Sequence, residues 1–148
     1  MEEYVKKRDF GKTVEPRGEE EKRGGNIYVI HKHQATHLHW DLRLEMDGVL
    51  KSWAIPKEPP TTVGLKRLAV HVEDHPLDYA SFEGSIPEGE YGAGKVEIWD
   101  KGSFDILEKT EDKLVIKIKG EKLKGGYVLV RLKKPGKEKN WLFFKKKD

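Results

Sequence analysis

Short runs typical of β-strands recur from Asn26 onwards, separated by turn signals, and no segment shows a long apolar period of 3.6 residues. Asp47-Gly48 is a strong hairpin signal, and Pro56, Pro59 and Pro60 end a strand because proline cannot donate to a ladder. Gly125-Gly126 and Lys101-Gly102 indicate later turns. The predicted strands are Ile27–His31, His37–Glu45, Val49–Ile55, Arg67–Val72, Gly94–Trp99, Ser103–Leu107, Leu114–Lys119, Tyr127–Arg131 and Trp141–Phe144.

This spacing predicts an all-β domain with at most minor α content, either an antiparallel barrel or a sandwich. The 148 residues fit a single domain, 1–148. Residues 1–25 lack periodicity and are predicted to form an extended N-terminal arm before a barrel over residues 26–148. Pro76–Gly94 is interpreted as a long loop, and loops of that length are often functional.

The chain has no cysteine, no apolar signal-peptide core in its first 25 residues and no run long enough to span a bilayer, so we expect a soluble, cytoplasmic protein that does not engage a membrane. Its charge is unevenly distributed. Residues 1–108 carry 15 Lys and Arg against 21 Asp and Glu, a net charge of −6, whereas residues 109–148 carry 14 against 5, a net charge of +9. A basic C-terminal part favours a polyanionic partner, although a solvated lysine-rich surface explains the charge equally well.

The strictest pattern is the alternation from Thr36 to Glu45. One face of this predicted strand carries Leu38, Trp40, Leu42 and Leu44, which are expected to pack in a core. The opposite face carries His37, His39, Asp41, Arg43 and Glu45. A polar, solvated strand face is the alternative interpretation, but surface strands rarely repeat histidine.

Residues i and i+2 of a strand lie about 6.5–7 Å apart, so the side chains of His39 and Asp41 can converge on one ion. His33 is the nearest candidate for a third ligand. Two imidazoles and a carboxylate suit Mn²⁺, Zn²⁺ or Co²⁺ better than Mg²⁺ or Ca²⁺. Arg43 follows on the same face, and its planar guanidinium matches two phosphate oxygens.

A second dense cluster runs from His71 to Tyr79. His75 and Tyr79 are candidates to contact a phosphate or a leaving oxygen, whereas a capped turn is the alternative interpretation. Ser52, Lys57 and Arg67 are further candidates for binding phosphate, each weak by itself.

Together these motifs resemble the 3′-phosphoesterase domain of the bacterial end-joining DNA ligase D family, which also occurs as a free-standing protein in archaea and bacteria. The first similar stretches are Arg8-Asp9-Phe10, Glu15-Pro16, Lys32-His33, Leu38–Glu45, Leu50–Ala54 and Pro56-Lys57. The later ones are Lys66–Val70, Val72–Tyr79, Phe82–Pro87 and Tyr91–Gly94. The similarity covers nearly the whole chain, and the combined pattern is specific although no single piece is.

The resemblance implies a single compact antiparallel β-barrel with a manganese-dependent site in its hollow. It implies that His33, His39 and Asp41 hold the metal, with Co²⁺ or Zn²⁺ as substitutes. It further assigns substrate contacts and supporting residues. The implied phosphate contacts are Arg43, His75 and Tyr79, with Ser52, Lys57 and Arg67 nearby. The implied supporting residues are Arg8, Asp9, Glu15 and Glu73, together with His31, where the family carries glutamine.

The implied reaction is removal of a 3′-terminal ribonucleoside and then of the remaining 3′-phosphate, leaving a 3′-OH. The implied partners are DNA or RNA–DNA primer–template 3′ ends and an end-joining ligase or polymerase. A non-catalytic nucleic-acid-binding barrel of the OB type is one rival, and it leaves the His/Asp/Arg face unexplained. A cupin-like enzyme for small molecules is another, and it leaves the lysine and arginine excess unexplained.

Overall fold

Nine antiparallel strands make up most of the residues that the computed structural model describes, which are 26–87 and 93–147. The strands are β1 (Asn26–Gln34), β2 (Leu38–Met46), β3 (Val49–Ile55), β4 (Lys66–His75), β5 (Gly84–Ile86), β6 (Gly94–Lys109), β7 (Lys113–Gly120), β8 (Lys124–Arg131) and β9 (Asn140–Lys145). The described residues also contain a 3-10 helix, Leu77–Ser81, and no α-helix. The helical turn is far too short to cross a membrane, and no other described segment is helical.

Eight of these strands close into a barrel in the order β1-β2-β3-β4-β9-β8-β7-β6, because β6 pairs back onto β1. β5 lies outside this ring and pairs with the first residues of β6. The prediction of an all-β antiparallel barrel is therefore confirmed. The arm predicted for residues 1–25 lies outside the described residues.

The barrel interior is an apolar core to which all eight barrel strands contribute. Trp40, Leu42 and Leu44 belong to it, as their alternation predicts. Leu38 does not: its side chain is 44% exposed because it is the first residue of β2, opposite Gln34 at the barrel end.

Turn chemistry was predicted correctly at one place and wrongly at another. Asp47 and Gly48 both have positive φ, 56° and 82°, as a type I′ hairpin between β2 and β3 requires. Lys101-Gly102 is not a turn, since the two strands predicted around it form one strand, β6. A Cβ at Gly102 would lie 2.0 Å from the Lys119 carbonyl oxygen, so this glycine permits a close approach of β7.

Two further expectations are corrected. Gly125 and Gly126 lie inside β8 and do not form a turn. The predicted loop Pro76–Gly94 contains the 3-10 helix and β5, which are too short to produce a periodic pattern. Both pack beside the outer face of the sheet, where they help to form the site.

The site lies near one end of the barrel, where β1 ends and β2 begins. At this end, called the proximal end below, β1, β3 and β9 finish at Gln34, Ile55 and Lys145. β2, β4 and β8 begin there, at Leu38, Lys66 and Lys124. The site side chains of β1 and β2 extend from this end along the outside of the barrel.

Candidate metal centre and phosphate groove

The polar side chains of β1 and β2 face outwards from the barrel. His33 pairs opposite His39 and His31 opposite Asp41, and these residues alternate with the core residues Ile30 and Leu42. The expectation of a site in the hollow of the barrel is therefore wrong. The interior is filled by apolar side chains, and the site lies on the outer face, beneath the segment that follows β4.

Three of these side chains form a cluster suited to a metal ion. One ligand atom from each of His33, His39 and Asp41 lies within 4.8 Å of the other two. His39 Nε2 is 3.3 Å from Asp41 Oδ1, and His33 Nδ1 is 3.7 Å from Asp41 Oδ2. The predicted ligand set is thus brought together by one hairpin, with two nitrogens and a carboxylate as donors.

The hydrogen bonds of the two imidazoles suit metal binding. His33 donates from Nε2 to the Ala93 carbonyl at 3.3 Å, and His39 donates from Nδ1 to the His37 carbonyl at 3.1 Å. Each ring therefore carries a proton on the nitrogen remote from Asp41, and the nitrogen that faces Asp41 can hold either a second proton, donated to the carboxylate, or a lone pair for a metal ion. Ligating histidines in metalloproteins are commonly oriented in this way.

The carboxylate of Asp41 is ionised. Burial alone would raise its pKa, but hydrogen bonds from His33 and His39 and the charge of Arg43 together lower that pKa well below the usual range. The hydrogen bond with Asp41 raises the pKa of His39. A proton and a cation therefore compete for the same nitrogen.

Arg43 is buried beside the cluster and is held from several sides. Its Nε donates to His31 Nδ1 at 3.1 Å, its Nη1 to Ser52 Oγ at 2.8 Å, and its Nη2 to Asp41 Oδ2 at 3.4 Å. The Tyr79 ring lies over the guanidinium, with the centroid 4.8 Å from Cζ. The position of this cation is therefore fixed by the protein.

His31 lies opposite Asp41 in the β1–β2 pair, and its ring is hydrogen-bonded to Arg43. It is fully buried, accepts from Arg43 and donates from Nε2 to the Phe82 carbonyl at 3.1 Å. Burial, together with the Arg43 charge, lowers its pKa to about 4, so the ring is neutral at pH 7. Its supporting role is thus to join Arg43 to the segment after the 3-10 helix.

His75 and Tyr79 complete the polar wall. His75 Nδ1 lies 3.0 Å from Arg43 Nη1 and 3.2 Å from the Glu73 carbonyl. Arginine can only donate and a carbonyl can only accept, so the two contacts select opposite tautomers: the contact with Arg43 places the proton on Nε2, and the contact with Glu73 places it on Nδ1. Burial, assisted by the charge of Arg43, lowers the pKa of His75, whereas burial raises the pKa of Tyr79.

These side chains line one groove of about 660 Å³ on the outer face. The lining residues are His33, Ala35, Thr36, His37, His39, Asp41, Arg43, Ala54, Val72, His75, Tyr79, Ile86 and Ala93. The groove therefore combines a candidate metal centre, a fixed guanidinium and an imidazole, which is a suitable combination for binding a phosphate ester.

Other predicted site residues lie elsewhere. Ser52 is fully buried beneath Arg43, and Glu73 is exposed and reaches His75 only through its backbone. Lys57 and Arg67 do not line the groove; Arg67 donates to the Glu58 carbonyl and lies on the same face of β4 as the core residue Ala69. The predicted supporting residues Arg8, Asp9 and Glu15 lie outside the described residues.

Several contributors to the groove could not be found from the sequence. The carbonyls of His37, Phe82 and Ala93 orient site histidines, and backbone acceptors leave no side-chain signature. His37 itself lines the groove, although the sequence interpretation excluded it from the ligand set. Ile86 contributes an apolar wall from β5, a strand too short to predict.

Comparison with known proteins adds an independent result. Residues 31–131 match the profile of a family described as the DNA Ligase D 3′-phosphoesterase domain. The matched range contains every groove residue named above.

Individual relatives agree with this match. The chain is 48% identical to the multifunctional non-homologous end joining protein LigD of Pseudomonas aeruginosa, over 99% of this chain and 18% of that protein. It is 46% identical to the LigD protein of Mycolicibacterium smegmatis, over 98% of this chain and 20% of the relative. A LigD protein of Mycobacterium tuberculosis is 46% identical over 86% of this chain and 18% of its own length. The chain thus spans about a fifth of these relatives.

Proposed function

Because the chain belongs to the DNA ligase D 3′-phosphoesterase family, we propose that it hydrolyses phosphate esters at the 3′ ends of nucleic-acid strands. In this proposal it removes a 3′-terminal ribonucleoside as a phosphodiesterase and the remaining 3′-phosphate as a phosphomonoesterase. The product is a 3′-OH that a ligase or polymerase can use. The observation that carries the proposal is the convergence of His33, His39 and Asp41 beside Arg43 in one groove.

The donor set supports a divalent cation as cofactor. Two imidazole nitrogens and one carboxylate suit Mn²⁺, which we propose as the cofactor, and also fit Co²⁺ or Zn²⁺. When bound, such a cation supplies Lewis-acid polarisation of a phosphate oxygen and lowers the pKa of water. His33, His39 and Asp41 are the residues that would hold it.

In this proposal Arg43, His75 and Tyr79 stabilise charge, donate a proton and position the reacting groups. The Arg43 guanidinium offsets negative charge on the phosphoryl oxygens, and its existing hydrogen bonds mean that little reorganisation is needed. His75, in the tautomer with its proton on Nε2 that the contact with Arg43 selects, donates to the leaving oxygen or to the phosphate. Tyr79 packs against both residues and keeps them aligned.

The proposed setting is DNA repair. The relatives are non-homologous end joining proteins by name, and this supports a role for the chain in preparing broken ends, which we propose takes place in the cytoplasm. The proposed substrates are DNA or RNA–DNA primer–template ends, and the proposed protein partners are an end-joining ligase or polymerase.

The test is an end-mapping assay with and without Mn²⁺ on a primer–template whose primer carries one 3′-ribonucleotide. We expect a product with a 3′-phosphate to appear first and a product with a 3′-OH to follow, both only with the metal. Binding without turnover would instead favour a non-catalytic barrel. Equal hydrolysis of free 3′-nucleotides, irrespective of strand length, would favour an enzyme for small molecules.

Two ligand substitutions make the assay specific to the cluster. His39→Ala and Asp41→Ala are each expected to lower both activities by more than about 100-fold, exceeding the loss that follows removal of an outer-shell partner. Asp105→Ala, which removes an exposed carboxylate paired with Lys119, should retain activity. Near-normal turnover by either folded ligand variant at saturating Mn²⁺ would refute the assignment, and circular dichroism verifies the fold.

A further inference from the structure

Lysines gather at the proximal end of the barrel, the same end that carries the metal cluster. Lys57 lies two residues beyond Ile55, and Ile55 pairs with Trp40, the neighbour of His39. Further lysines follow at the same end of β4, β9 and β8, at increasing distance from the groove. We call this set the lysine rim: Lys57, Lys66, Lys124, Lys145 and Lys146.

Strand pairing holds the members of the rim side by side. Lys66 begins β4 and pairs opposite Phe144, while Lys145 ends β9 and pairs opposite Tyr127. The backbone amide of Lys146 donates to the Gly126 carbonyl at 2.8 Å, so this residue is also held against β8. Lys124 begins β8 at the same end. The rim is therefore a structural feature of four neighbouring strands.

Four of the rim lysines, Lys57, Lys66, Lys124 and Lys146, are exposed, whereas the ammonium group of Lys145 donates to the Lys124 carbonyl. Within residues 26–87 and 93–147, no rim lysine forms an ion pair, whereas Lys51, Lys119 and Lys133 pair with carboxylates at 2.9–3.2 Å. Lys66 and Lys145 lie over the rings of Phe144 and Tyr127, at 5.2 and 5.1 Å. Aromatic contacts of this kind position an ammonium group without neutralising it.

The balance of charge at this end is positive. Glu58 and Glu121 are the carboxylates that lie in the adjoining β3–β4 and β7–β8 connections, and Arg67 and Lys122 lie in the same regions. Lys122 sits over the Trp99 ring at 4.5 Å. The five rim lysines therefore remain as excess positive charge.

The dimensions of the rim suit a nucleic-acid strand. Three steps between neighbouring strands separate β3 from β8, which is roughly 14 Å around the barrel at about 4.8 Å a step. A single strand of a duplex advances about 3.4 Å per nucleotide, so this distance corresponds to roughly four phosphates. The basic track begins beside the groove and leads away from it.

We propose that the lysine rim binds the phosphodiester backbone of the nucleic acid whose 3′ end occupies the groove. This inference rests on the proposed function and adds to it a binding surface outside the reacting groups. The partner is a nucleic-acid strand because regularly spaced phosphates match a row of ammonium groups, and the contact is electrostatic and independent of base sequence. The rim then gives the basic C-terminal part a role beside a site built from residues 31–93.

The experiment compares two variants with the same change in charge. The rim variant carries Lys66→Gln, Lys124→Gln and Lys146→Gln. The control carries Lys134→Gln, Lys137→Gln and Lys139→Gln, three exposed lysines of the β8–β9 connection at the opposite end. Binding of a 3′-phosphate primer–template is measured by fluorescence anisotropy without metal over a range of salt concentrations. A 3′-phosphate dinucleotide, too short to reach the rim, is the second probe for turnover with Mn²⁺.

Each lost phosphate contact lowers the slope of log K against log salt by about 0.9, so we expect the rim variant to lose about 2 to 3 from the slope and at least tenfold in affinity. The control should retain its slope, and turnover of the dinucleotide should be unchanged in both variants. An unchanged slope in the rim variant, or an equal loss in the control, would overturn the inference. The proposed function is judged separately, from the turnover of both probes by the wild-type protein with Mn²⁺.

Discussion

The geometry of the site depends on how single side chains distribute their donors and acceptors. His31 illustrates this, because its two ring nitrogens serve opposite purposes: one accepts from Arg43 and the other donates to the Phe82 carbonyl. The ring is neutral at pH 7, as burial and the neighbouring guanidinium require. A residue outside the candidate ligand set thereby aligns the cation beside it.

His31→Gln and His31→Leu separate this positioning role from simple packing. A glutamine amide offers one acceptor and one donor, so we expect His31→Gln to keep kcat/KM on a primer–template within a few-fold of the wild-type value. His31→Leu removes the acceptor that His31 offers to Arg43 Nε and the donor that it offers to the Phe82 carbonyl, and it should lower kcat by about 10–100-fold, as outer-shell losses commonly do. Steady-state kinetics on both variants provides the measurement.

Thermal unfolding of the same two variants provides the control for a purely structural effect. Equal losses of activity in the glutamine and leucine variants would contradict the hydrogen-bonding role of His31. Full activity in a folded leucine variant would show that Arg43 does not need this partner.

At the level of elements, β6 joins distant parts of the barrel through one carboxylate. Asp100 accepts from the backbone amides of Glu121, Lys122 and Leu123 at 2.8–2.9 Å and from the Tyr28 hydroxyl at 2.7 Å. The turn between β7 and β8 is thus tied to β6 and β1. Burial would raise the pKa of Asp100, but the hydrogen bonds from Leu123 and Tyr28, with those from the other amides, lower it overall.

Asp100→Asn tests this connection. An amide nitrogen replaces one acceptor and leaves two donors unsatisfied, so we expect the free energy of unfolding at pH 7 to fall by roughly 2–4 kcal/mol. A lowered pKa in the folded state means that the carboxylate stabilises the fold above the unfolded pKa of about 3.9 and that this contribution is lost as the pH falls through the folded value. Urea titrations at pH 7 and near pH 3 should therefore show a smaller difference between wild type and variant at the lower pH. A difference that does not change with pH would argue against the ionised carboxylate as its source.

At the level of the whole molecule, the inner and outer faces of the barrel sheet serve different functions. The inner face supplies a continuous apolar core, and the outer face of β1 and β2 supplies the metal cluster and Arg43. Because neighbouring residues of a strand point to opposite faces, stability and chemistry are encoded by alternate positions of the same segments. A substitution in the core can therefore lower the stability of the barrel without changing any side chain that lines the groove.

Phe104→Ala examines this separation. Phe104 is fully buried on β6, between β1 and β7, so its truncation should cost about 3–5 kcal/mol of folding free energy. Turnover per folded molecule should remain at the wild-type level at a temperature where the variant is fully folded. Urea unfolding and end-mapping kinetics on one preparation provide both quantities. Ile106→Ala, two residues along the strand and 39% exposed, is the matched control and should cost much less. A loss of activity in fully folded Phe104→Ala would show that core and site are coupled.

Much of the architecture follows from local patterns. The bounds of β3 and the hairpin at Asp47-Gly48 were predicted as they occur, and the alternation on β2 placed His39, Asp41 and Arg43 on one face. These features depend on residues close together in the chain, where a period of two and a turn with positive φ leave direct traces. The ligand set was predictable for the same reason, since one hairpin carries all three members.

Other features depend on which strands become neighbours, and only the tertiary structure settled them. Alternation correctly assigned the apolar face of β2 to the core, whereas the site in the hollow of the barrel, which the family resemblance implied, lies on the opposite, outer face. Arg67 has the chemistry of a phosphate ligand but lies on the core-side face of β4. The partner of His31 is a backbone carbonyl 51 residues away, and the lysine rim forms because β9 pairs with β4 and β8. Contacts of this range arise from barrel closure, which leaves no periodic signal in the local sequence.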